Sequence, residues 1–591
     1  MSWWRTNART WEAHGWRVEV RADELAEIRR DGRILLRAVR AVVRDRGWQT
    51  VPARVSDVDV SAETLILRLR HDGLSAHLES RLEVRAGTDE LLIAWDAENQ
   101  TVFDTCRTGL VVLHPASDAG SEALVEHPDG STEITALPVE ISPHQPIRNI
   151  RELRIAGGPA LRFAGEVFEM EDQRNWTDAS FKTYSRPLAL PYPYRLEAGE
   201  HVRQSMRIRA DDIAEPVSTA EATIELHVAG AFPEIGVEAS TAPDPVPASD
   251  IGMFRVVELD LATPNWRAAL ARAAADTRPL DVRIVADCEA DALVEAAHVL
   301  RGHDVVRVTA FDRRRHVSTA EMVSALRRAL ATAHVDAPVL AGSRSHFTEL
   351  NREQEAIPSD VAGITVNTTP LFHSLDTEQL VESLAMQRLI AQQTVRIAAG
   401  APVHIGPISL RPRYNNVATT PAPAPLRTDL SEGHGAEFTG AKDDRQGAPE
   451  LAAWVIASAA ALAVAGVESL SWFETWGPRG LIDASGRTPA AAAVEALAVL
   501  SGGTLLTGNS PDGLVWAVGA RHENRDIVLV ANLDRVDRQF TVRAPGGTEA
   551  VMLGAGSWTW APCPELFPVQ GFSPAAPPRP SARRAPRSPR S

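Results

Sequence analysis

Cysteine is scarce in this sequence, which limits the covalent and metal chemistry open to the protein. Only three cysteines occur among 591 residues, at Cys106, Cys288 and Cys563, and no two of them form a CxxC pair. Isolated thiols argue against both a disulfide framework and a thiolate metal site. The cysteine pattern therefore indicates a reducing compartment.

Basic side chains are fewer than acidic ones, and this balance limits the kinds of molecule that the protein can bind. The chain has 61 basic and 77 acidic side chains, a net charge of −16 with histidine neutral. An acidic chain repels phosphate groups, so the composition argues against a nucleic-acid-binding protein. With 44% hydrophobic and 23% charged residues, the composition is that of an ordinary globular protein.

The sequence also shows no targeting signal and no clear membrane span. The first 23 residues mix Trp, Arg and Glu without a continuous apolar run, so no secretory signal is predicted. The most apolar stretch, 451–467, has seventeen uncharged residues, eight of them alanine. Its length is at the bottom of the range for a membrane span, so we predict a buried helix. We expect a cytoplasmic protein without membrane contact.

Three familiar catalytic motifs do not occur in the sequence: GxSxG, GxxxxGK[ST] and HExxH. Serine-elbow hydrolysis, P-loop phosphoryl transfer and zincin chemistry are therefore unsupported. No spacing of metal-ligating residue types demands an ion, so we predict neither a metal nor a cofactor.

The chain is too long for one hydrophobic core, and its pattern changes twice. Residues 18–209 show short strands with period-two alternation, which predicts an antiparallel β-sandwich. From about residue 223, β-branched runs alternate with helical stretches, as is typical of a (β/α)₈ TIM barrel. Short strands return from about residue 505, which predicts a small C-terminal β-domain.

We place the domain boundaries at these changes of pattern. The predicted units are the sandwich at 1–222, the barrel at 223–504, the C-terminal β-domain at 505–563 and a Pro- and Arg-rich disordered tail at 564–591. The predicted barrel strands are 235–239, 255–259, 282–286, 305–310, 338–342, 363–367, 403–407 and 468–473. The first βα unit is the weakest, because 240–250 holds too many prolines for a helix.

Polar residues just past the barrel strands are the natural site candidates, because catalytic groups of this fold lie at the C-terminal ends of the strands. Seven carboxylates qualify: Glu238, Asp260, Asp287, Asp312, Glu349, Asp376 and Glu474. Each one alone is more typical of a helix N-cap or a loop salt bridge.

Three segments are denser in polar side chains than a connecting loop requires. Residues 343–352 hold two Arg, a His, a Glu and an Asn. Residues 471–477 place Glu474 between aromatics that would raise its pKa toward acid or base use. Residues 367–376 carry His373, which could bind substrate, shuttle a proton or be structural.

Two further segments could reach the barrel mouth. The loop at 411–449 is far longer than an ordinary βα loop, and its polar start begins at Arg411. Residues 168–184 mix acids, amides, a lysine and aromatics without strand or helix periodicity. This second segment either plugs the barrel mouth or is a solvated connection.

Four pieces of the chain resemble the D-apionate lactonase family: 171–184, 107–115, 405–413 and 473–475. The resemblance extends up to about residue 562, and its barrel pieces are also similar to glycoside hydrolases of the same fold. It implies a sandwich, a barrel and a β-domain in that order. It also implies hydrolysis of D-apionolactone to D-apionate in the breakdown of the branched sugar apiose, with a small-molecule sugar lactone as the partner and the oligomeric state open.

Opening a lactone needs a base that activates water and a cationic or hydrogen-bonding group that stabilises the oxyanion. Glu474 or Glu349 is the predicted catalytic base, with Lys182, Arg344 or His373 as oxyanion partners. The full set of predicted substrate-binding residues is Glu171, Asp172, Asn175, Lys182, Arg344, His346, Asn351, His373, Arg411 and Trp476.

Two other functions remain open from the sequence. A retaining glycoside hydrolase would use Glu349 as acid/base and Glu474 as nucleophile, with the carboxyl groups about 5–5.5 Å apart. Barrel glycosidases often place Asn directly before the acid Glu, whereas here Asn351 follows Glu349 by two residues. A non-catalytic carbohydrate-binding protein would keep the aromatics but has no use for clustered acids.

Overall fold

The computed structural model describes residues 3–4, 8–210, 222–287, 290–417, 427–435, 442–523 and 525–561. The predicted tail at 564–591 lies outside the described residues, as do Cys288, Cys563 and parts of the 411–449 loop.

Two β-sheets form the N-terminal domain, each with nine strands in the described residues. Their strands are β1 (Arg9–Ala13), β2 (Trp16–Arg21), β3 (Glu24–Arg30), β4 (Arg33–Asp45), β5 (Ala53–Val60), β6 (Thr64–Gly73), β7 (Ala76–Ala86), β8 (Glu90–Asn99), β9 (Phe103–Pro115), β10 (Glu122–Glu126), β11 (Thr132–Ala136), β12 (Ile147–Ile150), β13 (Glu152–Ile155), β14 (Ala160–Ala164), β15 (Phe168–Asp172), β16 (Ser180–Tyr184), β17 (Tyr194–Leu196) and β18 (His201–Arg209). One sheet runs β1-β2-β3-β4-β9-β16-β15-β12, with β17 also paired to β9, and the other runs β11-β10-β13-β14-β18-β8-β7-β6-β5.

Period-two alternation builds the core between these sheets. Along β6, Leu65, Leu67 and Leu69 are buried, whereas Arg68 and Arg70 are exposed. Antiparallel sheets that are covered on one face produce this pattern, and two such faces packed together make a sandwich. The predicted β-sandwich is confirmed.

The segment at 168–184, for which the sequence indicated no regular structure, contains two strands. β15 and β16 pair antiparallel, and every residue of both is buried. Phe168 and Met170 of β15 belong to the sandwich core whereas Glu169 and Glu171 do not, so a period-two pattern is present but covers only five residues. A 3₁₀ turn at Gln173–Trp176 connects the two strands.

The barrel follows two short strands, β19 (Thr223–Glu225) and β20 (His227–Ala231). Its parallel strands, eight in the described residues, are β21 (Glu234–Glu238), β22 (Arg255–Asp260), β23 (Leu280–Ala286), β24 (Val305–Asp312), β25 (Val339–Gly342), β26 (Ile364–Val366), β27 (Val403–Ile408) and β28 (Val467–Trp476). Pairing of β21 with β28 closes the sheet. The predicted TIM barrel is confirmed.

The helices of the barrel domain are α1 (Trp266–Ala274), α2 (Ala290–Leu300), α3 (Ala320–Ala333), α4 (Phe347–Arg352), α5 (Thr377–Ile397), α6 (Glu450–Leu462) and α7 (Pro489–Leu500). The stretch between β21 and β22 holds no helix in the described residues, as its prolines indicated. After β28 the chain forms β29 (Gly480–Asp483) and β30 (Gly486–Arg487).

The C-terminal β-domain contains β31 (Thr504–Thr507), β32 (Val515–His522), β33 (Arg525–Asn532), β34 (Arg538–Ala544), β35 (Gly547–Leu553) and β36 (Ser557–Trp560). Its two sheets run β19-β34-β35 and β20-β31-β32-β33-β36. β19 and β20 thus pair with the C-terminal strands, although the boundary predicted at residue 223 groups them with the barrel. Pairing over such a separation leaves no local signal in the sequence.

Helix α6 occupies the uncharged stretch that begins at residue 451. Every residue from Leu451 to Leu462 is buried, because the helix packs between the barrel strand β28 and strands β32 and β33. The buried helix predicted there is confirmed. In the described part of the chain, no helix is long and apolar enough to cross a membrane.

The sandwich covers the C-terminal end of the barrel, where α4 meets the Gln173–Trp176 turn. The amide of Asn351 on α4 donates to Ile141 O and to Asn175 Oδ1, each at 3.0 Å. Asn415, after β27, donates to Gly47 O at 3.2 Å. Side chains of both domains therefore line the barrel mouth.

Candidate active site

Two glutamates lie opposite each other where the first and last barrel strands meet. The Cα partner of Glu238 on β21 is Glu474 on β28, whereas two residues earlier Gly236 pairs with Ser471. β28 therefore contains one extra residue, which is a β-bulge. The bulge decides which side of the sheet Glu474 reaches.

The extra residue is found between Trp472 and Glu474. The indole of Trp472 donates to Ser458 Oγ of α6 at 3.2 Å, so this side chain faces the helices. Phe473 also faces α6, with its ring 6.5 Å from that of Trp454, and its φ is +50°. Without the bulge Glu474 would share the side of Trp472, because alternate residues share a face. The bulge instead brings Glu474 to the barrel mouth.

Both carboxylate oxygens of Glu474 have partners. Oε1 accepts from Thr241 Oγ1 at 2.8 Å and lies 2.6 Å from an Arg479 nitrogen. Oε2 accepts from the Thr241 backbone N–H at 2.9 Å. Glu474 thus fixes the loop after β21 to the turn after β28.

Glu238 and Glu258 share one arginine. Arg413, after β27, donates to Glu238 at 2.8 Å and to Glu258 at 3.2 Å. Arg344, after β25, donates to Glu258 at 2.6 Å, and its guanidinium lies 4.1 Å from the centre of the Tyr414 ring. Together with Glu474 and Arg479, three carboxylates face three guanidiniums at the mouth.

The two carboxyls that share Arg413 have opposite pKa shifts. Burial and the neighbouring Glu474 raise the pKa of Glu238 to about 7, although Arg413 opposes the rise. Burial also acts to raise the pKa of Glu258, but Arg344 and Arg413 overcome it and hold this pKa at about 2. Glu258 is therefore a fixed anion, whereas Glu238 titrates near neutral pH.

A small cavity opens at this network. Its lining includes Glu238, Glu258, Arg413, Tyr414, His434 and Arg479. A concave site with convergent polar groups and a carboxyl of raised pKa is the arrangement expected of an active site.

Glu349, the other predicted catalytic carboxylate, lies in the first turn of α4. It accepts hydrogen bonds from Ser345 Oγ and from the Asn416 amide, one on each oxygen. Burial raises the pKa of Glu349. Its oxygens are thus held by neutral donors of the two loops that follow β25 and β27.

A second charged group comes from the sandwich. Lys182, one of only two lysines in the chain, lies on β16, and its Nζ is 2.6 Å from Glu171 Oε2 on β15. Trp176 donates to the other Glu171 oxygen at 3.2 Å. Burial lowers the pKa of Lys182 to about 8. Burial alone would raise the pKa of Glu171, but the charge of Lys182 has the larger effect and lowers this pKa to about 2.

An aromatic wall joins the two domains beside this lysine. The rings of Trp176 and Phe372 stack with their centres 4.7 Å apart, and His346 lies 4.6 Å from Phe372. His373 Nδ1 is 2.7 Å from Asp178 Oδ2 of the sandwich. Burial and the nearby Lys182 lower the pKa of His373 well below its usual range, so its imidazole is neutral at pH 7.

The loop after β25 joins the two groups, because it carries Arg344 of the barrel network and His346 of the aromatic wall, and we call the two groups together the basin. The charge of Arg413 adds to the effect of burial in lowering the pKa of His346 to about 3, and His346 in turn lowers the pKa of His373. Electrostatic contact thus runs from the barrel network to the sandwich side. Predicted residues that reach this basin are Glu171, Lys182, Arg344, His346, Glu349, His373 and Glu474.

Three predicted substrate-binding residues form structural contacts instead. Asp172 accepts two hydrogen bonds from the Arg174 guanidinium, at 2.8 and 2.7 Å. Asn175 donates to Asp172 O at 3.0 Å and accepts from Asn351. These residues shape the turn and join the domains.

The last two predicted residues lie at the rim. Arg411 donates to Lys442 O at 3.0 Å, and Trp476 accepts a hydrogen bond from Ser240 through its backbone carbonyl. Both side chains are half-buried.

Sequence reasoning missed two residues of the basin, Glu258 and Arg479. Glu258 lies within β22, one residue from its predicted end, so a search past the strand ends could not find it. Arg413 and Asp178 were visible only as members of polar segments. In the described residues no group of three or more His, Cys, Asp or Glu side chains is arranged to hold a metal ion.

Comparisons with known proteins find the same family along most of the chain. A family model described as D-apionate lactonase, N-terminal domain, matches residues 2–213, and one described as D-apionate lactonase, TIM barrel domain, matches residues 239–502. A D-apionate lactonase of Brucella anthropi is 28% identical over 564 residues, covering 86% of this chain and 90% of the relative.

Solved structures with other names also align with parts of the chain. A GH30 endoxylanase from Clostridium papyrosolvens aligns with a TM-score of 0.38 at 11% identity, covering 58% of this chain and 99% of that one. A galactose mutarotase-like protein from Lactobacillus casei aligns with a TM-score of 0.26 at 10% identity, covering 34% of this chain and 99% of that one.

Proposed function

Because the chain belongs to the D-apionate lactonase family, we propose that it hydrolyses D-apionolactone to D-apionate, a step in the breakdown of apiose. The reaction adds water across the ring ester and releases a hydroxy acid. The product is an anion at neutral pH.

The observation that carries this proposal is the composition of the barrel mouth. The sandwich segment with the most specific family resemblance brings Lys182, Asp178 and Trp176 against His373 and Phe372 of the barrel. A plain barrel glycosidase has no need of this second wall. A cation beside a neutral imidazole and an aromatic face suits a small polar ring with a carbonyl group.

Each group has a chemical role in opening a lactone. The attacking water needs a carboxylate base, and the carbonyl oxygen needs donors when it becomes an oxyanion. Lys182, Arg344 and His373 remain our proposed oxyanion partners.

The glycosidase alternative needs Glu349 as a proton donor and Glu474 as a nucleophile on opposite sides of one bond. Both oxygens of Glu474 accept hydrogen bonds, and one also meets the Arg479 cation. Donors on both oxygens and an adjacent cation lower the nucleophilicity of this carboxylate, so this geometry favours the lactonase.

Substrate choice tests the proposal. The purified protein is offered D-apionolactone, other five-membered aldonolactones and aryl glycosides side by side, with acid release followed by pH indicator at neutral pH. We expect acid release from D-apionolactone well above spontaneous hydrolysis and no cleavage of the glycosides. Glycoside cleavage without lactone turnover would replace the lactonase with the glycosidase, and binding without any turnover would indicate a carbohydrate-binding protein.

A further inference from the structure

We propose that Glu238, a residue with no assigned role, is the general base that activates water for lactone opening. This inference rests on the proposed function and identifies one catalytic residue within it. Four glutamates surround the barrel mouth, and the inference follows from what their oxygens contact.

Three of the four glutamates have both oxygens engaged. Glu474 is held by Thr241 and Arg479, and Glu349 accepts from Ser345 and Asn416. Glu258 receives donors on both oxygens from Arg344 and Arg413. A carboxylate with a donor on each oxygen has less capacity left to accept a proton from water than one with a free oxygen.

Glu238 differs from these three. Its Oε1 accepts from Arg413 at 2.8 Å, and within the described residues its Oε2 has no hydrogen-bond partner. Glu238 also lines the small cavity at the mouth. One oxygen is thus fixed by an arginine, and the residue borders a cavity of about 20 Å³, which has room for about one water.

The same cavity carries two cations that can receive negative charge. The guanidiniums of Arg413 and Arg479 line it beside Glu238. Fixed donors of this kind stabilise an oxyanion as it forms. These two guanidiniums would add to the oxyanion partners proposed above, Lys182, Arg344 and His373.

The reaction balances with these groups alone. Glu238 takes a proton from water as the water oxygen bonds to the lactone carbonyl carbon, whose oxygen becomes the oxyanion. The intermediate then collapses, the bond between the carbonyl carbon and the ring oxygen breaks, and the protonated Glu238 returns its proton to the leaving alkoxide. The new carboxylic acid ionises, so one lactone and one water give one hydroxycarboxylate and one proton.

The electrostatic setting matches a base that works near neutral pH. The charged and titratable groups that face Glu238 are Arg413, Tyr414, His434, Glu474, Arg479 and Glu258. Burial and the two carboxylates raise the pKa of Glu238 to about 7, and the arginines limit the rise. A base must be ionised, so turnover should fall as the pH drops through about 7.

Glu474 is a positioning residue in this scheme. It contacts Thr241 and Arg479 rather than the cavity, and its charge acts on Glu238 from the adjacent strand. The bulge in β28 makes this possible, because it brings both carboxylates to the same side of the sheet.

Substitution of Glu238 tests the assignment, with the wild type turning over D-apionolactone as the reference. We expect Glu238→Gln to lower kcat by about a hundredfold or more with little change in KM. Glu238→Ala should behave similarly and regain about tenfold in kcat with added formate, a small carboxylate that can enter the vacated space. Asp118→Asn is the matched control, since burial also raises the pKa of this carboxyl, to about 6, and the neighbouring charge that acts on it is Arg33 rather than a residue of the cavity.

The outcomes separate the two proposals. A wild type that opens no lactone contradicts the proposed function, whatever Glu238 does. An active wild type whose folded Glu238→Gln variant keeps near-normal kcat overturns the role of Glu238. If Glu238→Gln does not fold, Glu238→Asp is measured instead. A lowered kcat with unchanged KM in this variant supports Glu238 as the general base, and a wild-type kcat contradicts that role.

Discussion

Asp178 of the sandwich and His373 of the barrel lie 2.7 Å apart, Oδ2 to Nδ1, across the domain interface. The contact connects residues 195 positions apart and fixes the orientation of the imidazole ring. Residues of both domains therefore form the barrel mouth.

Asp178→Asn should therefore reduce activity through His373. We expect kcat/KM to fall by about two- to tenfold, since an intramolecular hydrogen bond contributes about 0.5–1.5 kcal/mol. If Asp178 acts by positioning His373, adding His373→Gln to Asp178→Asn should cost little more than His373→Gln alone. Fully additive losses would show that the two residues act separately.

Lys182→Met should remove a cation from the mouth and change the alkaline side of the pH profile. The pKa of Lys182 is lowered to about 8 by burial, so its positive charge is lost as the pH rises through that value. We expect kcat/KM to fall about a hundredfold or more, the scale for loss of an oxyanion donor. Lys182→Arg should keep the charge and move the alkaline limit upward.

The other lysine provides the control for this experiment. Lys442 is exposed and contributes its backbone carbonyl to Arg411. Lys442→Met should leave the pH profile unchanged. An alkaline limit that stays near pH 8 in Lys182→Met would mean that another group sets it.

Glu474→Gln should move the acidic side of the profile. Removing this negative neighbour lowers the pKa of Glu238, and Arg479 then acts on Glu238 without a competing anion. The acidic limit of turnover should shift to lower pH by about one unit. A lower kcat with an unmoved acidic limit would contradict the coupling of the two glutamates.

The barrel could be predicted from the sequence because its signals are local. Each strand is a short apolar run, and helices such as α3 and α5 follow from their own composition. The absence of a first helix followed from prolines at 240–250. Sandwich strands such as β6 were visible through alternation over ten residues, whereas β15 and β16 were missed because each has only five residues and its polar face is buried as well.

The site could be predicted only as a set of polar segments. Glu474 was placed at the end of its strand, but the bulge at Phe473 and the register with Glu238 depend on the closure of the barrel. The pairs Asp178–His373 and Arg413–Glu258 join distant parts of the chain. Contacts between distant parts of the chain therefore determine which carboxylate has a free oxygen and which has hydrogen-bond partners on both oxygens.

Arg413→Ala should destabilise the fold as well as the site. The guanidinium, only 11% exposed, pairs with both Glu238 and Glu258, and its loss leaves two buried carboxyls short of a partner. Breaking a buried pair costs about 3–5 kcal/mol. Thermal unfolding should show a clearly lowered Tm.

Arg427→Ala is the control for that change in Tm. Arg427 pairs with Glu432 on the surface, where the two side chains are 54% and 66% exposed. Exposed ion pairs contribute little, so its Tm should match the wild type. Equal Tm values for both variants would contradict a stabilising role of Arg413.

Hydrolysis of D-apionolactone in water enriched with ¹⁸O tests the central claim most directly. Mass spectrometry of the product should show one ¹⁸O in the carboxylate of D-apionate, formed much faster than in the absence of protein, with the excess rate lost in Glu238→Gln and retained in Asp118→Asn. Unchanged lactone after incubation with folded wild-type protein would contradict the account.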